Sequence, residues 1–266
     1  MTADQLVVLA VIQGLTEFLP VSSSGHLNLV HLLMNYPDQG VAIDVAIHLG
    51  SLVAVVTYFW RDMLFLLGGV RDVVLLRRSE PARLLLLLAL ASVPLVVFGF
   101  IMVKTGLVES VRSLEVIAWT TVIFALVLWA CDRLGGTGRA FAETRISDAV
   151  WVGLAQCISL IPGVSRSGIT MSASRALGYE RTEAARFSLL LSIPAILAVG
   201  AGTALELDGG AAQLVSSDAL LAAGLSAVAA FVSIWFMVAL LKRTTMLPFV
   251  VYRLGLGIVL LWFAYA

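Results

Sequence analysis

Pro20-Val21-Ser22-Ser23-Ser24-Gly25-His26, preceded by Glu17, places three hydroxyls, a carboxylate and an imidazole inside an otherwise apolar stretch. Pro162-Gly163-Val164-Ser165-Arg166-Ser167-Gly168 interrupts the other half in the same way, with a guanidinium. One constant offset lays Gln13 on Gln156, Ser22 on Ser165, Ser24 on Ser167 and Gly25 on Gly168, while Ser23 falls on Arg166. This reads as an internal repeat whose two polar loops meet to build one site. In each loop proline ends one half-helix, serine caps the next, and glycine allows close backbone approach. The start of a helix offers N–H groups and a positive dipole end, a good place for an anion. Ser22, Ser24, Gly25, Ser165, Ser167 and Gly168, with Thr170 one turn further on, therefore suit a phosphate or diphosphate. Arg166 adds a planar fork able to clamp it.

Glu17 and His26 supply what simple anion binding does not need. A carboxylate beside a phosphate repels it unless it holds a cation or handles a proton. Histidine acts as base or nucleophile near neutral pH. Gln13 lies four residues before Glu17 on the same helix face, placed to orient it or share a metal with it. Small and polar residues in membrane helices also serve plain packing, but two matched loops with a glutamate and an arginine at depth argue for function. His31 and His48 have no motif partner and read as structural. Arg253 is expected to pair with a carboxylate, snorkel, or help hold phosphate. Asp44 reads as an interfacial or capping residue.

The elements that must position these groups follow from composition. Of 266 residues 60% are hydrophobic and 13% charged, about half the charge of a soluble domain. The fold class is an all-α polytopic membrane protein, because the apolar runs are far longer than barrel strands. Zero net charge names no partner and no nucleic acid, and Cys131 and Cys157 fit no zinc or disulfide pattern. The first ten residues lack the basic start of a cleavable signal. Six runs have spanning length, at roughly 42–60, 83–103, 113–131, 184–203, 219–241 and 247–266. Pro94 and Pro194 fall inside two of them and are expected to kink them. Residues 3–34 and 147–178 are too short or too polar in each arm to cross, and read as re-entrant hairpins. A polar turn at 35–40 follows the first hairpin, and a cytoplasmic linker at 132–146 joins a first repeat (1–131) to a second (147–266).

Loop charge sets orientation. Arg61, Arg71, Arg77, Arg78 and Arg83 follow the first span; Arg133, Arg139, Arg145, Arg175, Arg181 and Arg186 follow the third; Lys242 and Arg243 follow the fifth. The opposite loops carry Glu206, Asp208 and Asp218, with only Lys104 and Arg112 dissenting. Both termini are thus expected outside. Three spans per half then invert the second repeat relative to the first, so the hairpin tips meet within the bilayer.

At this point the residues resemble a known family. Gln13-Gly-Leu-Thr-Glu17 with its following Ser-Ser-Ser-Gly-His26 is similar to the Glu/Gln-x-x-x-Glu motif of the undecaprenyl-diphosphate phosphatases of the bacitracin-resistance type. Pro162-Gly-Val-Ser-Arg-Ser-Gly-Ile-Thr170 resembles their Pro-Gly-x-Ser-Arg-Ser-x-x-Thr motif at every fixed position. The likeness extends to Ile47–Ala54 and Pro248–Arg253. It implies hydrolysis of undecaprenyl diphosphate to undecaprenyl phosphate and inorganic phosphate on the outer face of the bacterial plasma membrane. This recycles the lipid carrier of cell-wall (peptidoglycan) synthesis and gives bacitracin resistance. It also implies a divalent cation, Mg2+ or Ca2+, at Glu17 and Gln13; glutamine at 13 weakens any need for two carboxylates.

On this reading Arg166 and the loop N-termini clamp the diphosphate, Glu17 positions a cation or proton, and Ser23 or a water attacks phosphorus with His26 as base. Phosphoserine, phosphohistidine and direct water attack stay open. Besides membrane lipids and the lipid diphosphate, a homodimer is the expected partnership. A lipid-phosphate transporter or flippase is the alternative, since inverted repeats with polar loops at mid-depth are common there.

Overall fold

The computed structural model describes residues 2–34, 36, 40–136, 138–204 and 214–266. Most of the expected turn at 35–40, and the acidic Glu206 and Asp208, lie outside these residues. The first hairpin is α1 (Ala3–Glu17) and α2 (Ser23–Met34), followed by α3 (Val41–Tyr58), α4 (Trp60–Val74), α5 (Glu80–Thr105), the short α6 (Leu107–Ser110) and α7 (Leu114–Leu134). The second is α8 (Ile146–Cys157) and α9 (Arg166–Ala176), followed by α10 (Arg181–Ala204), α11 (Ser217–Leu241) and α12 (Leu247–Tyr265). Among the described residues, six helices have the length and apolarity to cross a membrane: Val41–Tyr58, Glu80–Thr105, Leu114–Leu134, Arg181–Gly202, Ser217–Leu241 and Leu247–Tyr265. They fall on the six runs read from hydropathy, and α5 and α10 continue past Pro94 and Pro194.

One element was not foreseen. The arginine-rich segment after α3, read as a loop, contains α4. It buries Leu66 and Gly69 against α5 and leaves Leu64, Phe65, Leu67 and Val70 exposed. A charged helix with apolar side chains left uncovered suits the headgroup region of a bilayer, where both faces find a partner.

The two halves pack by exchange. The hairpin helix α1 lies against α11 of the second half, and its counterpart α8 lies against α5 of the first. Likewise α3 packs on α11 while α10 packs on α5, and α7 packs on its own counterpart α12. Small residues allow this closeness, since van der Waals fit rather than apolar burial drives helix association in lipid. A Cβ added at Gly50 of α3 would lie 2.1 Å from the Ala223 carbonyl oxygen of α11. Gly50→Val is therefore expected to force α3 from α11 at a cost of about 1–3 kcal/mol, read as a lower unfolding midpoint in detergent. An unchanged midpoint would show that this contact yields freely.

A core joins these helices to the loops. Phe18 and Val21 of the first loop are buried with Leu128 of α7, Met171 of α9, Leu189 of α10, Met237 of α11 and Phe249 of α12. The apolar neighbours of the motif serines thus anchor the loop that carries them.

Candidate functional site

Each polar loop is built by one local device, used twice. Ser22 and Ser165, equivalent in the repeat, both have positive φ (73° and 69°), a conformation that costs a non-glycine residue about 1–3 kcal/mol. The turn aims each hydroxyl at the helix that follows. Ser22 Oγ accepts from Gly25 N–H at 3.3 Å, and Ser165 Oγ accepts from Gly168 N–H at 3.2 Å. Capping of this kind offsets part of the strain, because it satisfies one of the orphan donors of α2 and α9.

The third residue of each Ser-x-Ser segment binds the opposite loop. Ser24 Oγ accepts from Gly163 N–H at 2.9 Å, and Ser167 Oγ donates to the Leu19 carbonyl at 2.9 Å. Gly163 itself (φ 89°) is pressed onto α7, where a Cβ would fall 2.0 Å from Thr120 Oγ1. The first serine of each segment is thus committed to its own helix and the third to the opposite loop, and the middle positions, Ser23 and Arg166, remain for chemistry.

Both middle residues turn to Glu17. Arg166 Nη2 donates to Glu17 Oε1 at 2.6 Å, and Ser23 Oγ donates to Oε2 at 3.4 Å. Gln13 Nε2 donates to the same Oε2 at 2.7 Å, one helical turn earlier as its spacing requires. The Arg166 and Glu17 side chains are 15% and 10% exposed, so the pair is shielded yet reachable. Among the described residues, the buried side-chain nitrogen or oxygen atoms without a hydrogen-bond partner are Gln13 Oε1, Arg166 Nη1 and both amide atoms of Gln156. All three residues belong to the repeated motif positions. Buried polar groups are nearly always satisfied, and the orphans on Gln13 and Arg166, which meet at Glu17, mark where a ligand would bond. Arg166 Nη1 offers a donor to an anion; Gln13 Oε1 offers an acceptor beside a carboxylate.

Arg253 binds neither a carboxylate nor the surface. It is fully buried and donates to the carbonyls of Gly163 (2.9 Å), Val164 (3.0 Å), Thr121 (3.3 Å) and Pro20 (3.5 Å). One guanidinium from α12 so ties both loops to α7. A Cβ on Gly168 would come within 2.8 Å of its Nη1, a close approach that only glycine permits.

Two of the expected site residues make contacts beyond those read from sequence. His26, expected to act as base, has both ring nitrogens beside other groups. Its Nδ1 lies 2.7 Å from the Ser22 carbonyl oxygen and its Nε2 2.6 Å from Tyr252 Oη, and the His26 and Tyr252 rings stack at 5.5 Å. The i,i+4 geometry of α2 forces the first contact, and the packing of α2 on α12 supplies the second. The acceptor that Ser23 reaches is Glu17. Thr170, expected among the phosphate ligands, directs its hydroxyl at the Arg166 carbonyl (2.8 Å) and Ser188 Oγ (2.7 Å), and so braces α9 against α10. Two contributors were missed: Tyr252 beside His26, and His48 beside Gln13, where the ring nitrogen lies 3.1 Å from the amide. The family likeness over Ile47–Ala54 and Pro248–Arg253 takes in both positions, but no local pattern shows these contacts, because the partners lie on different helices.

The comparisons agree with one another. The family model described as bacitracin resistance protein BacA matches residues 6–259. The chain is 46% identical over 267 residues to a protein of Jannaschia sp. (strain CCS1) named undecaprenyl-diphosphatase, with all of both chains covered. It is 48% identical to a protein of that name from Roseobacter denitrificans, also over the full length of both. One from Alcanivorax borkumensis is 50% identical over 98% of each chain.

Proposed function

The chain belongs to the bacitracin resistance protein BacA family, and from that membership and the site we infer that it is an integral membrane phosphatase. It hydrolyses undecaprenyl diphosphate to undecaprenyl phosphate and inorganic phosphate, and so recycles the lipid carrier of cell-wall synthesis. The observation that carries the residue assignment is the convergence of Ser23, Arg166 and Gln13 on Glu17 where the two capped loops meet. The transporter reading gains nothing from the comparisons, since the relatives named above are diphosphatases.

Arg166 would bind the terminal phosphate through Nη1 while Nη2 stays on Glu17. The first-turn N–H groups of α2 and α9 add positive potential from two sides, and Arg253 adds a further buried positive charge behind them. Ser23 Oγ, or a water in its place, attacks the terminal phosphorus; Glu17 takes the proton; the bond from that phosphorus to the bridging oxygen breaks, and undecaprenyl phosphate leaves. On the serine route a water then releases phosphate from the enzyme. Catalysis is mostly positioning and charge stabilisation, as phosphoryl transfer demands.

A divalent cation, Mg2+ or Ca2+, is the proposed cofactor. Among the described residues no three His, Cys, Asp or Glu side chains gather to hold a metal. The Glu17 carboxylate, Gln13 Oε1 and the Ser23 hydroxyl are hard oxygen donors, a partial shell that phosphate oxygens and water would complete. Once bound, such an ion neutralises charge developing on the phosphate. The side of the membrane is also a proposal: the arginine-rich loops support a topology with both termini outside and the site toward the outer face. A homodimer is proposed as the assembly, to be read from the mass of the solubilised protein.

The test is phosphate release from undecaprenyl diphosphate by the purified protein in detergent, with and without EDTA, beside Arg166→Lys. We expect release that EDTA abolishes and a fall of about 10²-fold in the variant, because an ammonium cannot reproduce a bidentate fork. No release from the folded parent would overturn the phosphatase reading; near-parental turnover in the variant would remove Arg166 as clamp.

A further inference from the structure

We propose that His48 is a positioning residue of the site: it fixes the orientation of the Gln13 amide so that Oε1, and not Nε2, is the atom left for a ligand. This rests on the phosphatase reading only for its activity readout.

His48 lies on α3, one turn after Asp44. Its Nδ1 is 2.7 Å from the Asp44 carbonyl oxygen. A carbonyl only accepts, so Nδ1 carries the proton, and Nε2 of the neutral ring is an acceptor. That Nε2 lies 3.1 Å from Gln13 Nε2, whose second N–H goes to Glu17 Oε2 at 2.7 Å. Gln13 therefore faces two acceptors, and its –NH2 serves both. A flipped amide would set Oε1 against an imidazole lone pair and a carboxylate together, two acceptor–acceptor contacts in a site where Gln13 is 1% exposed. With the flip blocked, Oε1 is held buried and unpartnered beside Glu17.

The second half of the chain supplies an internal contrast. Gln156 is the repeat counterpart of Gln13, is fully buried, and has neither amide atom hydrogen-bonded. The offset that relates the two glutamines puts Leu160 where Glu17 stands and Leu191 where His48 stands. Neither position offers an acceptor, and the Gln156 amide has no hydrogen-bond partner. Orientation of Gln13 is thus a property of the pair Glu17 and His48, not of the hairpin.

The experiment compares phosphate-release kinetics of the parent, His48→Leu, His48→Gln, Gln13→Leu and the double variant Gln13→Leu/His48→Leu, each checked for an unchanged unfolding midpoint. A second arm records the ¹⁵N shifts of histidine-labelled parent and Gln13→Leu in detergent; His48 is assigned by the signals that His48→Gln removes. We expect His48→Leu to lose about 10–100-fold in kcat/KM, the scale of lost outer-shell partners. His48→Gln, whose side-chain oxygen can accept the same N–H, should return to within about threefold of the parent. The double variant should be no worse than Gln13→Leu alone, because His48 acts through that amide. The His48 Nε2 signal should move in Gln13→Leu.

A merely structural histidine would give a different pattern: leucine tolerated as well as glutamine, or both equally poor. Either result in folded protein overturns the proposal. If the parent releases no phosphate, the functional reading fails separately, and the nitrogen shifts decide alone: an Nε2 signal unmoved by Gln13→Leu overturns the link. The same arm decides if His48→Leu does not fold.

Discussion

Phosphate release should fall by about 10²–10⁴-fold in Glu17→Gln, the range typical of a lost general base, although glutamine keeps the size and one acceptor oxygen of the native side chain. The reason lies in what surrounds the carboxylate. Oε1 accepts from Arg166, and Oε2 accepts from Gln13 and Ser23. An amide at position 17 must turn its –NH2 toward one of these donors, so one donor–donor contact is unavoidable. It also removes the negative charge that would draw the proton from Ser23 or water and hold a cation. Breaking a fully buried ion pair costs about 3–5 kcal/mol; this pair retains 10% and 15% exposure, so the stability loss should be smaller than that. The measurement is kcat beside an unfolding midpoint in detergent. A variant within tenfold of the parent would mean that Glu17 organises the site without entering the reaction.

Arg253→Leu should show the opposite balance, with stability and turnover lost together. The native guanidinium donates to the carbonyls of Gly163, Val164, Thr121 and Pro20. Leucine would leave these acceptors buried away from water, where unsatisfied backbone is costly. A loss of about 3–5 kcal/mol is expected, comparable to removing one partner of a buried charged network, with the two loops no longer held at their mutual distance. Arg253→Lys separates charge from geometry. Lysine keeps the positive charge behind the phosphate site but cannot span three segments with one ammonium, so it should also fall well below the parent in phosphate release. Lysine activity equal to the parent would reduce Arg253 to a source of field; a stable, active leucine variant would remove it from the design altogether.

The helical plan was legible in the chain because each of its determinants is local. A run of about 20 apolar residues must be a helix in a bilayer, so the six long helices fall where hydropathy places them. Proline, serine and glycine at fixed offsets mark a break between helices, and α1 and α2, like α8 and α9, are separated at those residues. The two matched motifs were readable too, and Ser22 and Ser165 both have positive φ. The helix α4 escaped this reading because its arginines look like loop charge, and a span-length window averages away a periodicity of 3.6 residues.

Other features only the tertiary structure decided. The capping serines could be named from sequence, but not that Ser24 and Ser167 would bind the opposite loop. Arg253 was visible as a buried charge, yet its partners are carbonyls, which every residue carries and no side-chain pattern reveals. His26 could be named as a candidate base, but not that the packing of α2 on α12 would bring Tyr252 to its Nε2. His48 looked solitary until α3 lay beside α1. In each case the energy that fixes the side chain comes from a contact between segments far apart in the chain. Residue type states what a group can donate or accept; only the fold sets which partner stands opposite it.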